Sequence, residues 1–516
     1  MIIIKITPDE TVNLALDTIQ KNKQALIFVG SKKSAEKQAE EIAKKCKTQQ
    51  EELAEKALHA LAKPTEQCER LAKCIEKGIA FHHAGLHSKQ RELIENHFRS
   101  GEIKIICSTP TLAAGLDLPA FRTIIKDVKR YAGKFGMQYI PVLEYLQMAG
   151  RAGRPKYDTE GQAICIAKSE SEKEELWIRY IEGQPEEIYS KLAVEPVLRT
   201  YLLSLIATKV VNTKQEILAF FQETFWAMQY KDMYKLEQII DRMLHLLVEW
   251  DFLKSAKQSK DFVSAHDLKN ETYTSTPLGT RVAELYLDPL TAYKLVKAIQ
   301  KTKKTAHPFA LLHLISNTLE MRPLLRTKTR EIELIQKEAL KYESYLLEKE
   351  PSLYDPEYED FLDSLKTALM LHAWIEEKEE QYLLETYDTR PGETRAKIEI
   401  GDWLLYTLSE LAKIVEQKEL MKEIAKLRIR LKNGVKEELL LLLKLEGIGR
   451  VRSRKMFDNR IRTITDVKNA DPAILAQLIG KKIAIDIKKQ VGEEIDETKI
   501  LVSEHKRTGQ MSLKKY

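Results

Sequence analysis

The chain has 516 residues, 43% of them hydrophobic and 31% charged, which excludes a mostly disordered polypeptide and, at about 150 residues per domain, predicts three or four domains. No apolar run nears the roughly 18 residues of a membrane crossing, Met1–Ile6 has no basic lead or cleavage site, and the five cysteines include no C-x-x-C pair; a membrane span, signal peptide, zinc ribbon and disulfide scaffold are excluded, and a soluble, cytoplasmic, nucleoid-associated protein is expected. The net charge of +6 is unevenly spread, since residues 421–490 hold 18 Lys/Arg against 8 Asp/Glu, a basic domain of the kind that meets nucleic acid.

Met1–Ile6 reads as a strand. Ala25–Val29, Ile103–Cys107 and Ala163–Ala167 are short apolar runs with helical patterns between them, Lys32–Lys45 among these. Such alternation predicts βα units and a parallel sheet covered on both faces. The helical stretch Gln49–Lys77 is an insertion. Beyond residue 170 strands nearly vanish: Thr213–Phe225 and Leu236–Glu249 are amphipathic, and Phe252–Thr276 is polar and β-leaning. Helices followed by a short hairpin predict a winged helix. From Asp288 to Glu416 the pattern is helical, with pauses at Glu350–Pro356 and Thr389–Gly392, and a last helical unit carries the basic charge.

The most specific string is Gln147-Met148-Ala149-Gly150-Arg151-Ala152-Gly153-Arg154-Pro155. Glycine lets backbone approach a phosphate, and two arginines three apart stabilise the charge that builds on a transferring phosphoryl group. Upstream, Ser108–Pro119 follows a strand and holds Thr109, Gly115 and Asp117, a hydroxyl, a tight turn and an acid suited to phosphate and ribose at a sheet edge. Phe81-His82-His83-Ala84-Gly85-Leu86 pairs two histidines with no third ligand at metal spacing, so no metal is expected.

Order and spacing of these strings resemble the superfamily-two helicases, and more narrowly the large archaeal repair helicases of the Ski-like group, relatives of the polymerase-theta helicase. Gln147–Arg154 looks like their motif VI, Thr109/Gly115/Asp117 their motif V, Phe28–Ser34 their motif IV, and Phe81–Leu86 the string after it. The resemblance implies a second RecA-like domain at 1–170, a winged helix with linker at 171–286, a helical ratchet bundle at 287–418, a helix-hairpin-helix domain at 419–490 and a polar tail at 491–516. The fold class expected is thus α/β RecA-like, then mainly α. By the same resemblance Arg151 and Arg154 are arginine fingers, Gln147 meets nucleotide or DNA, Gly115, Asp117 and Gly150 line the nucleotide, and Ser31 and Thr109 touch DNA phosphates.

A helicase motor also needs a G-x-x-x-x-G-K-[ST] loop and an acidic pair for magnesium, and neither string occurs here. ATP and Mg2+ are therefore expected to be held mainly by a first RecA-like domain on a separate polypeptide, with a truncated chain as the other explanation. Among DNA-handling elements, Tyr131–Met137 predicts a hairpin tip around Phe135, which the resemblance makes a duplex splitter. Arg395 and Trp403, eight residues apart on one predicted helix, resemble the family's base-stacking pair; Ala396 stands where the family often has a second arginine, and Lys397 would substitute less well, as a point charge without a stacking plane. Leu445–Lys455 looks like a helix-hairpin-helix whose Gly447–Gly449 turn, with Arg450, Arg452 and Arg454, would hold phosphate. Gln510–Tyr516 resembles a truncated sliding-clamp box, for a clamp or a single-strand binding protein. The expected function is a subunit of an ATP-dependent 3′→5′ DNA helicase for forked or 3′-tailed DNA; an RNA helicase subunit and a motor-less DNA-binding module are the alternatives.

Overall fold

The computed structural model describes residues 3–61, 63–113, 117–131, 136–153, 158–192, 194–256, 271–302 and 305–493. The chain divides into two compact units, residues 1–189 with 380–396, and residues 190–379 with 397–516.

The first unit contains the strands β1 (Ala25–Phe28), β2 (Ile79–His82), β3 (Ile105–Ser108), β4 (Arg122–Ile125), β5 (Lys129–Tyr131), β6 (Met137–Tyr139) and β7 (Gln162–Cys165). Five of them form one parallel sheet in the order β2-β3-β1-β4-β7. Every residue of β1 to β4 is buried, as strands covered on both faces must be. β2 and β4 were not visible as apolar runs because each carries a basic side chain. The Arg122 side chain is fully buried yet fully engaged: it donates to Leu14 O (2.9 Å), Thr18 Oγ1 (2.8 Å) and Gln162 Oε1 (2.9 Å), and pairs with Asp17 (2.9 Å). A buried charge survives only with its donors used in this way.

The strand expected at Met1–Ile6 does not form among residues 3–6. The amides of Ile6 and Thr7 bond instead to the Asn13 side chain, at 3.0 and 2.9 Å, and Ile4 and Ile6 stay exposed. The insertion is two helices, Glu51–Leu58 and Glu66–Glu76. β5 and β6 pair antiparallel, Lys129 opposite Tyr139 and Tyr131 opposite Met137, so the expected hairpin stem exists, while Phe135 lies outside the described residues.

In the second unit, helices Glu195–Ala207, Lys214–Gln222, Phe225–Tyr230 and Met233–Glu249 precede an antiparallel pair, β8 (Leu253–Ala256) and β9 (Thr272–Ser275). Thr213 starts the second of these with a reciprocal cap to Glu216. A helical bundle follows, with Pro289–Lys301, Pro308–Ser316, Tyr358–Ile375 and Lys418–Asn433 among its members. The helix Pro391–Ile414 starts two residues earlier than the predicted pause allows; its residues from Lys397 onward belong to this unit. Four short helices between Arg450 and Gln490 close the described chain around a core of their own, Leu442, Met456, Val467, Leu475 and Ile487 included.

Candidate functional site

β1 and β3 are bonded neighbours, Phe28 beside Ser108, so Ser31 and Thr109 leave the sheet at the same carboxyl edge. That edge is where ligands meet open α/β sheets. Ser31 caps the helix Lys32–Ala43 by accepting from the Ser34 amide (3.1 Å) and is exposed. Thr109 is half-buried, its hydroxyl 2.9 Å from that of Thr111.

The two central motif strings are brought together. Helix Val142–Ala149 presents Gln147 to solvent and ends at Gly150. The loop beyond it is tied to the residues before β4: the Ala120 amide donates to Arg151 O (2.9 Å) and the Gly153 amide to Ala120 O (2.6 Å). Gly153 has φ +94°, and a Cβ on Gly161 would lie 2.5 Å from the Gly153 nitrogen. Only glycine suits either place. Arg151 is half-buried and turns its guanidinium onto the Ala113 carbonyl, with Nε at 3.0 Å and Nη2 closer. The end of one string therefore holds the other. Asp117 is exposed; Gly115 and Arg154 lie outside the described residues.

The histidine pair is structural in its contacts. His82 Nε2 is 3.0 Å from Glu95 and His83 Nε2 is 3.2 Å from Glu36, and burial pushes both rings below the usual histidine range. Glu36 also meets Arg390 (3.1 Å). Neither residue is marked in the sequence, because partners 354 positions apart leave no spacing signal.

Arg395 is exposed and Trp403 half-buried. Lys397 does not stand in for an arginine facing solvent: it is buried, and its ammonium donates to Met321 O and Pro323 O, both at 2.6 Å. In the closing domain Gly447 has φ +80° and Gly449 precedes the helix Arg450–Asp458 with open space around it. The three arginines there differ. Arg452 is exposed and donates to Gly447 O (2.9 Å). Arg450 lies over the Trp374 ring (4.7 Å) and donates to Lys378 O (2.8 Å). Arg454 pairs with Glu377, Glu438 and Asp458. The Gln510–Tyr516 string lies outside the described residues. Among the described residues no group of three or more His, Cys, Asp or Glu gathers to hold a metal, and no helix is long and apolar enough to cross a membrane.

Four family models match in chain order: a helicase conserved C-terminal domain over residues 9–156, a helix-turn-helix domain over 161–254, an archaeal helicase domain 4 over 309–434 and a SAM-like helix-hairpin-helix tandem over 439–493. The chain is similar to the ATP-dependent DNA helicase Hel308 of Pyrococcus horikoshii, 39% identical over 93% of this chain and 66% of the relative. It is also similar to those of Methanocella arvoryzae, 37% identical over 95% of this chain and 66% of the relative, and Methanococcus vannielii, 33% identical over 95% and 69%. It thus spans just under two thirds of the first relatives' length. The likeness runs through the RecA-like sheet, the helix-turn-helix and the closing hairpins in one order, and the chain belongs to the Hel308 family of archaeal helicases.

Proposed function

We propose that this chain supplies the arginine-bearing RecA-like half and the DNA-gripping domains of an ATP-dependent 3′→5′ DNA helicase acting on forked or 3′-tailed DNA. A P-loop half, which these 516 residues do not include, would grip the phosphates and magnesium. The observation that carries this reading is the Arg151–Ala113 contact, which joins the two strings that resemble motifs V and VI at one end of the sheet. The donor set fits only one side of a nucleotide: a guanidinium and hydroxyls, without a P-loop string anywhere in the sequence.

In this mechanism ATP would bind between the two halves, and magnesium, held by the P-loop half, would supply charge neutralisation to the phosphates. As water attacks the γ-phosphorus and the bond to the β-phosphate oxygen breaks, negative charge spreads over the transferring group. Arg151, with Arg154, neutralises it. Arg395 and Trp403 hold one strand by stacking, the β5–β6 hairpin parts the duplex, and the Gly447–Gly449 turn holds backbone phosphate.

The purified 516-residue chain should show no DNA-stimulated ATP hydrolysis alone and gain it together with a P-loop RecA-like half, whether joined to it or added as a second polypeptide. Turnover by the unaided chain would sink the proposal. The motor-less reading requires that no P-loop half joins this chain and that Arg151 is dispensable.

A further inference from the structure

The histidine string Phe81–Leu86 plays no part in the function proposed above, yet the turn after β2 is built against residues 388–393, which open the helix Pro391–Ile414 within the same unit. At their junction the buried Glu36 carboxylate accepts from Gln67 Nε2 (2.9 Å), Arg70 Nη1 (2.9 Å), His83 Nε2 (3.2 Å) and Arg390 Nε (3.1 Å). Arg70 also binds Glu40, so two guanidiniums face two carboxylates. Burial would raise the Glu36 carboxyl, but His83, Arg390 and Gln67 outweigh it and hold it well below the carboxylate range. His83 has a defined tautomer: its Nδ1 accepts from the Gly85 amide (3.2 Å), so Nε2 carries the proton given to Glu36.

The backbones fit as closely as the side chains. The Gly392 amide donates to Gly85 O (3.0 Å). A Cβ on Gly392 would lie 2.3 Å from both Ala84 O and Leu86 O, and one on Gly85 would lie 2.4 Å from Arg390 Cδ. Lys32 pairs with Glu393, and Lys33 with Asp388 (3.4 Å), along the rim. An apolar contact would tolerate sliding. A buried ionic hub does not, because any shift strands a charge.

We infer that Glu36, His83 and Arg390, together with the Gly85–Gly392 contact, are positioning groups that link strand occupancy of the Arg395-bearing helix to the turn after β2. The inference rests on the reading that this helix grips a strand. Linkage of this kind is reciprocal, so a change at the turn also biases the grip.

Amide hydrogen exchange of the full 516-residue chain, with and without saturating oligo-dT, tests it. Oligo-dT is expected to slow exchange at residues 83–86 by about tenfold in the parent. In R390Q and G392A the slowing disappears while oligo-dT affinity changes by less than about threefold, and R390K keeps part of it. Bound DNA without slowing at 83–86 in the parent overturns the inference, as does equal slowing in folded variants. Should both variants fail to fold, the parent comparison still decides. A parent that binds no oligo-dT sinks the functional reading and this inference together; binding without the transmitted slowing sinks this inference alone.

Discussion

Arg151 holds the Ala113 carbonyl with two donors of its guanidinium, Nε at 3.0 Å. Under the proposed function a side chain so fixed would be oriented before nucleotide binds, the contribution a charge-stabilising arginine makes to phosphoryl transfer. In the assembly that hydrolyses ATP, R151A is expected to lower DNA-stimulated turnover by about 10³-fold and leave oligo-dT affinity unchanged. R151K keeps the charge but loses the fork, and recovers little. Steady-state ATPase assays beside fluorescence anisotropy make the comparison; undiminished turnover in R151A favours the motor-less module.

The same loop depends on its glycines. At Gly153 φ is +94°, and at Gly161 a Cβ would meet backbone at 2.5 to 2.7 Å, atoms that cannot swing aside. G161A should therefore cost about 1–3 kcal/mol in urea unfolding and cut ATPase through displacement of Arg151. If G161A melts like the parent, the loop is not pinned in solution as it is here.

The sheet shows what sequence patterning reveals and what it hides. β1, β3 and β7 were legible because ALIFV, IKIIC and AICIA are mostly apolar runs that overlap them. β2 ends in His82 and β4 begins with Arg122, and a period-based reading takes such residues for surface. Their burial is offset by partners contributed from distant segments, Glu95 for one and Leu14, Thr18 and Asp17 for the other. The Glu36 hub was hidden for the same reason. Charge counting likewise could not tell which arginines of the closing domain are paired: Arg454 meets Glu377, which lies outside the counted stretch.

That difference separates the arginines of the closing domain experimentally. Arg452 is exposed, whereas Arg454 is held by Glu377 and Glu438. R452A should reduce the slope of log affinity against log salt by about 1 while leaving thermal stability unchanged. R454A should leave the slope nearly intact and destabilise the fold, by about 3 kcal/mol at most, because it strands two carboxylates. Equal slopes for the parent and R452A would exclude that side chain from phosphate contact.

Trp403 is half-buried, and the proposed function has its indole stack on a base. W403A is expected to weaken oligo-dT binding by about 1–3 kcal/mol, the cost of one base–aromatic stack, with a smaller change in unfolding free energy. Calorimetric melting together with anisotropy titrations checks both. A large loss of stability with unchanged binding would assign the indole to the core.

Acid should loosen the second unit in a defined window. His313 is fully buried against Ser364 (3.2 Å), and burial pushes its ring down to about 4. His372 falls to about 4 as well, through burial first and then the nearby His307 and Arg430 charges. In the unfolded chain both rings take protons below about pH 6.5, so between about pH 6.5 and 4 the unfolded state binds more protons and stability falls as pH falls. Glu320 and Glu348, raised by burial, take up protons in the folded state first and offset part of the loss. The decisive comparison is therefore H313Q against the parent in urea unfolding at a series of pH values. The variant should start less stable near neutrality and show a shallower decline below pH 6.5, by up to about 1.4 kcal/mol per pH unit. Parallel curves would mean that His313 takes up protons in the folded chain as readily as in the unfolded one.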